Sequence, residues 1–136
     1  MENSILKIDV EQVQLKTLIT VFHLTGKLDP TTTDALIEAA QDAVEVGTRC
    51  LVLDFKGITL VTSAGLKAIL NLYKMLTPKD TTAAMMKPPP DEPYKSPYFK
   101  LANLAPNVYY VFNISGFAGH LSIYPDLDSA LASFGA

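Results

Sequence analysis

Between Ile5 and Glu11, apolar Leu6, Ile8 and Val10 alternate with charged Lys7, Asp9 and Glu11. A period of two predicts a strand with one face buried. Leu18–Thr25, LITVFHLT, is β-branched and aromatic and predicts a second, more fully buried strand stopping at Gly26. The period then changes. Leu36, Ile37, Ala40, Ala43 and Val44 form an apolar stripe at helical spacing, with Asp34, Glu38, Asp42 and Glu45 on the opposite, solvated side. Asp29-Pro30 supplies a cap and a first-turn proline for this helix, and Gly47 closes it.

Cys50–Phe55, CLVLDF, is continuously apolar up to Asp54 and predicts a central strand covered on both faces. Lys56-Gly57 is expected to break it before ITLV. Leu66, Ile69, Leu70 and Tyr73 then mark a helix whose wet side carries Lys67, Asn71 and Lys74 and which Thr77-Pro78 ends. Tyr98–Leu104 reads as a strand, Pro106–Phe112 as a short helix, and Leu121–Tyr124 as a short strand. A last helix after Pro125-Asp126 has Leu127, Ala130, Leu131 and Phe134 as its apolar face. The alternation predicts an α/β domain with a mixed sheet of four or five strands and about four helices, packed mainly on one side. Residues 81–97, TTAAMMKPPPDEPYKSP, hold five of the nine prolines. Proline removes backbone donors, so this span is expected to be an exposed, partly polyproline-like insertion in a single domain over residues 1–136.

A chain of 136 residues is the length of one domain. Its 49% hydrophobic and 18% charged residues exclude disorder throughout. A net charge of −3, with ten lysines and a single arginine, Arg49, argues against nucleic-acid binding. Cys50 is the only cysteine, which excludes a disulfide framework and a cysteine-rich zinc site. MENSILKIDV lacks the basic-then-apolar order of a signal peptide, no apolar run reaches a membrane span, and ASFGA is not a lipidation signal. A cytoplasmic protein without a membrane partner is expected.

Catalytic chemistry is poorly supplied, and no enzyme is predicted. His23 falls in a strand and His120 beside Gly119, with no metal-ligand spacing between them, so no metal or cofactor is expected. Ser63 sits in VTSAG, not in the hydrolase elbow G-x-S-x-G, and the glycine-rich phosphate loops are absent. Ser63 is still the most informative position. It lies between a strand-like segment and a helix, where its hydroxyl is expected to cap the helix. Phosphate there is tolerated by the helix N-terminus, yet its charge would repel an acidic partner or spoil a close-packed interface. Gly65 suits close approach of a second backbone, from a neighbouring loop or a partner.

LVLDFKGITLVTSAGLKAIL resembles the core motif of the STAS domain of bacterial anti-sigma-factor antagonists, in which an apolar strand ends in Asp and Asp-Ser-Ser/Ala-Gly-Leu opens a helix. LTGKLDPTTTDAL, LAPNVYYVFNISGF and IYPDLDSAL resemble, in order, the family's first turn and helix, its Ser/Thr-Gly-Leu segment, and its last strand and helix. The resemblance covers nearly the whole chain outside the proline-rich span.

The resemblance implies a STAS-like fold and a binding module without cofactors. Its partner would be a serine kinase that is also an anti-sigma factor, and phosphorylation at Ser63 would release it. The partner surface would be formed by Asp29, Thr62, Ser63, Ala64 and Gly65. Two departures stand out: Thr62 replaces the motif Asp, and residues 81–97 are inserted. They leave room for a second reading, a constitutive interaction module in which Ser63 is only a cap. A small-molecule binder would need convergent polar groups that the sequence does not supply. The sequence leaves a homodimer open.

Overall fold

The computed structural model describes residues 6–76, 98–116, 119 and 121–134. The elements run β1 Leu6–Gln14, β2 Leu18–Leu28, α1 Thr33–Glu45, β3 Cys50–Val61, α2 Ser63–Leu76, β4 Phe99–Ala102, α3 Pro106–Ile114, β5 Ser122–Tyr124 and α4 Leu127–Ala132. The expected insertion at 81–97, the Thr77-Pro78 helix end and His120 lie outside the described residues.

The strands form one mixed sheet in the order β1-β2-β3-β4-β5. β1 pairs antiparallel with β2 and the remaining neighbours are parallel. Parallel strands laid down in sequence order, all in one direction, need crossovers of one hand. The three crossover helices therefore land on one face, as expected. Leu36 and Ala40 of α1, Leu66, Ile69 and Leu72 of α2, and Val108 and Phe112 of α3 join Phe22, Leu24, Leu51, Leu53 and Phe55 in one core. The alternate strand positions, Ile19, Val21, Cys50 and Val52, face the other way and pack under Ala130 of α4. CLVLDF reads as continuously apolar because both faces of β3 are covered. Truncating its fully buried Leu53 to Ala would cost about 2–5 kcal/mol.

Three expected boundaries shift, for related reasons. β2 does not stop at Gly26, and Lys56-Gly57 does not break β3. Beyond His23↔Asp54 the pairing resumes at Thr25↔Gly57, and after Gly26↔Ile58 it resumes at Lys27↔Leu60. β3 thus carries two bulges, and the glycines serve them. Gly26 adopts φ 120°. At Gly57 a Cβ would lie 2.8 Å from the Leu24 carbonyl oxygen. The third shift is at α1, which starts at Thr33 because Asp29-Pro30 opens a separate tight turn ahead of it. Gly47, at φ 107°, follows the end of α1 as expected.

Candidate functional site

β2 and β3 end side by side, which brings Asp29 and Ser63 to one end of the sheet. The Asp29 carbonyl oxygen accepts the N–H groups of Thr32 (3.0 Å) and Thr33 (3.2 Å). Its carboxylate Oδ1 accepts from the backbone N–H (2.9 Å) and hydroxyl (2.6 Å) of Thr31. The carboxylate therefore organises an Asx turn, a local bond that competes with helix propagation and places the helix start after it. Buried Thr32 locks the turn from below, its hydroxyl 2.8 Å from the Lys27 carbonyl oxygen. Asp29 remains half-exposed and Thr31 exposed.

The second loop is tied to the first through Leu28. The Thr62 N–H donates to the Leu28 carbonyl oxygen at 2.9 Å, and the Thr62 hydroxyl reaches the same oxygen at 3.3 Å. The Thr62 carbonyl accepts the first helical bond, from Leu66 at 3.0 Å, and its Oγ1 faces the Gly65 N–H at 3.4 Å. Thr62, not Ser63, is the capping residue. The expectation that Ser63 caps α2 is corrected: it is the first helical residue, one place beyond the position whose side chain turns back onto the helix. Ser63 is exposed, and among the described residues its hydroxyl has no hydrogen-bond partner. Ala64 is half-buried. Gly65 is buried, and a Cβ there would fall 2.8 Å from the Leu28 carbonyl oxygen and 2.9 Å from Leu28 Cβ. The close approach at Gly65 is made by the chain's own Leu28.

A polar network crosses the middle of β2 and β3, at the His23↔Asp54 pair, well before the strand ends at Leu28 and Val61. His23 Nδ1 lies 2.8 Å from Asp54 Oδ2, and His23 Nε2 lies 2.7 Å from Glu11 Oε1. Asp54 Oδ1 accepts from Asn103 Nδ2 at 2.9 Å and from the Lys56 N–H at 3.0 Å. The bond to Glu11 raises the His23 pKa above its ordinary value; partial burial opposes this, and Asp54 adds to the rise. Burial pushes the Asp54 carboxyl up, but the bonds from Asn103, His23 and Lys56 outweigh it and hold its pKa below the usual carboxylate value.

The sequence profile described as STAS domain matches residues 10–91, more than half of the chain. The chain belongs to the STAS domain family. No curated protein sequence matches it. Among solved structures, it is similar to an anti-sigma factor antagonist from Mycobacterium paratuberculosis, with 22% identity and TM-score 0.71 over 96% of each chain. It is also similar to the Bacillus cell fate determinant SpoIIAA in its phosphorylated form, with 18% identity and TM-score 0.60 over 93% of this chain and 97% of that one. A sulfate transporter family protein from Wolinella succinogenes shares 14% identity and TM-score 0.62, with 86% and 84% covered. Likenesses at these identities show the fold.

In this STAS domain, four of the five sequence-predicted site residues, Asp29, Thr62, Ser63 and Ala64, are at least partly accessible, and Gly65 lies beneath them. Among the described residues no cluster has the makings of a metal site and no helix is long and apolar enough to cross a membrane. Reading by sequence missed the Glu11–His23–Asp54–Asn103 network. The available signal was Asp54 at the end of an apolar run, because a carboxylate carried into a covered strand must find donors. Lys100 was missed as well. It is buried, bonds through Nζ to the Ser133 hydroxyl at 2.6 Å, and lies 4.0 Å from the Phe134 ring centroid.

Proposed function

We propose that this STAS domain is a partner-switching regulator. In this reading it binds a serine kinase that is also an anti-sigma factor, through Asp29, Thr62, Ser63 and Ala64 held up by Gly65, and is released when Ser63 is phosphorylated. It acts in the cytosol as a substrate and binding module, not as an enzyme. The observation that carries the reading is the Ser63 hydroxyl: exposed, without a bond to any described residue, and mounted on a loop that Thr62 and Gly65 fasten to Leu28. A hydroxyl already engaged in the fold would have to be torn loose to be modified; this one is available.

Electrostatics supports the switch. The first turn of α2 contains no acid, and the unbonded N–H groups of a helix start favour a phosphate. Lys67 lies one helical turn on, at the spacing that lets oppositely charged side chains meet. Thr62, which stands where the family motif has Asp, adds no negative charge beside the phosphate. A phosphorylated Ser63 therefore leaves the fold intact and alters what the surface accepts.

The test is the affinity of the captured partner kinase for wild type, Ser63→Asp and Ser63→Ala. Loss of binding with Ser63→Asp and retention with Ser63→Ala is expected. Equal affinity for wild type and Ser63→Asp contradicts the switch and favours a constitutive docking module, a reading that the architectural use of Thr62 also supports.

A further inference from the structure

β3 is longer than the strand it follows. From His23 to Leu28 on β2, the partners run from Asp54 to Val61 on β3, so two extra residues are accommodated before the chain reaches Thr62. The first bulge sits immediately after Asp54, and Asp54 Oδ1 takes the Lys56 N–H within it. The bulge thus depends on how the Asp54 carboxylate is held. Its other oxygen is held by His23, and His23 is held in turn by Glu11 on the edge strand.

Both ring nitrogens of His23 lie within 2.8 Å of a carboxylate oxygen. A neutral imidazole has one N–H and can donate to only one of them; the imidazolium donates to both. We infer that His23 is a proton-dependent clamp. As an imidazolium bridging Glu11 and Asp54, it fixes the bulge that sets the course of residues 57–63, and so the position of the Ser63 platform. The clamp stands on geometry alone; its consequence for partner binding rests on the function proposed above.

Of the charged groups on the elements packed around the ring, Glu11 and Asp54 favour the protonated form. From β1 come Glu11 and Asp9, the latter directly opposite His23 in the ladder and 3.7 Å from Lys7. From β3 come Asp54 and Lys56, the latter through its backbone. Asn103, neutral, follows β4, and Asp126 and Asp128 share with Lys56 and Asn103 a polar cleft of about 500 Å³. Acids outnumber bases in this neighbourhood. A histidine whose pKa is raised by folding contributes its full stabilisation below the unfolded value of 6.5 and loses it as pH rises through the folded value. When the proton leaves, the ring keeps one N–H, and one carboxylate contact turns from attraction into acceptor against acceptor. Glu11, more than half exposed, is the partner free to swing away.

The experiment is an NMR titration of the full chain carrying His120→Asn, which leaves His23 as the only imidazole signal. The ring is expected to titrate above 6.5, Glu11→Gln to lower the midpoint, and the backbone amides of residues 56–64 to shift with that midpoint. A ring titrating at or below 6.5, or amides that ignore its titration, overturns the clamp. Thermal melting at about pH 6 and about pH 9 gives a second reading: wild type loses stability across this range, and Glu11→Gln, a change at an exposed side chain, loses less. An equal loss in both also overturns it. If the amides follow the ring while binding of the captured kinase does not change with pH, the clamp is upheld and the assignment of Ser63 to the partner surface fails.

Discussion

Gly65→Ala measures how tightly the two loops of the site are fastened. The substitution adds one methyl group where three atoms already crowd: the Leu28 carbonyl oxygen at 2.8 Å, Leu28 Cβ at 2.9 Å and Val61 Cγ1 at 3.0 Å. Two of these neighbours are backbone or the first atom of a side chain and cannot rotate away. Relief requires α2 to move off β2, which stretches the 2.9 Å bond from the Thr62 N–H to the Leu28 oxygen. Forcing a methylene-sized group into such a contact costs about 1–3 kcal/mol. Replacing glycine within a helix returns at most about 1 kcal/mol. With the full return taken off, the balance is a loss of up to about 2 kcal/mol, which for a domain of this size lowers Tm by up to roughly 8 °C. Thermal melting followed by circular dichroism reads it directly. A Gly65→Ala protein that melts at or above wild type would refute the intramolecular packing assigned to Gly65. The glycine would then have to be explained by something outside this chain.

Other consequences are as direct. Ser63→Asp, at an exposed first-turn position with no bonds to lose, is expected to stay within about 0.5 kcal/mol of wild type by urea unfolding; a larger loss would show that Ser63 has a structural partner. Asp54 stabilises the fold above its ordinary value of 3.8, and that contribution disappears as pH falls through its depressed folded value. Asp54→Asn should therefore flatten the acid limb of the stability profile, and an unchanged limb would remove Asp54 from the network. Lys100→Met keeps the aliphatic stem but removes the charge over Phe134 and the bonds to Ser133, for an expected loss of about 1–3 kcal/mol with faster amide exchange in α4. A neutral or stabilising result would mean that desolvating the ammonium outweighs its contacts.

Much of the fold was legible because its signals are local. The last helix starts where Pro125-Asp126 predicts it, and there the Asp126 side chain accepts the Ser129 N–H at 2.7 Å. The helical stripe from Leu36 to Val44 and the unbroken apolar run of β3 both report the surfaces that cover them. Gly26 and Lys56-Gly57 misled because a glycine in a bulge and a glycine in a turn look alike in one dimension. The cue that separates them is the partner strand, more than 30 positions away in the chain. The cap moved from Ser63 to Thr62 for a similar reason: both residues can cap, and only the Leu28 carbonyl oxygen, supplied by β2, decides which one turns inward. His23 and Asp54 are 31 residues apart, and no periodicity within either strand shows that they face each other.

The central claim concerns one hydroxyl. Phosphopeptide mapping of the protein taken from its native cells, free and in complex with its partner, tests it most directly. The account predicts phosphate on Ser63 in the free protein and its absence from the complexed protein. Ser63 unmodified in both pools under every condition, with the complex still forming, would contradict it.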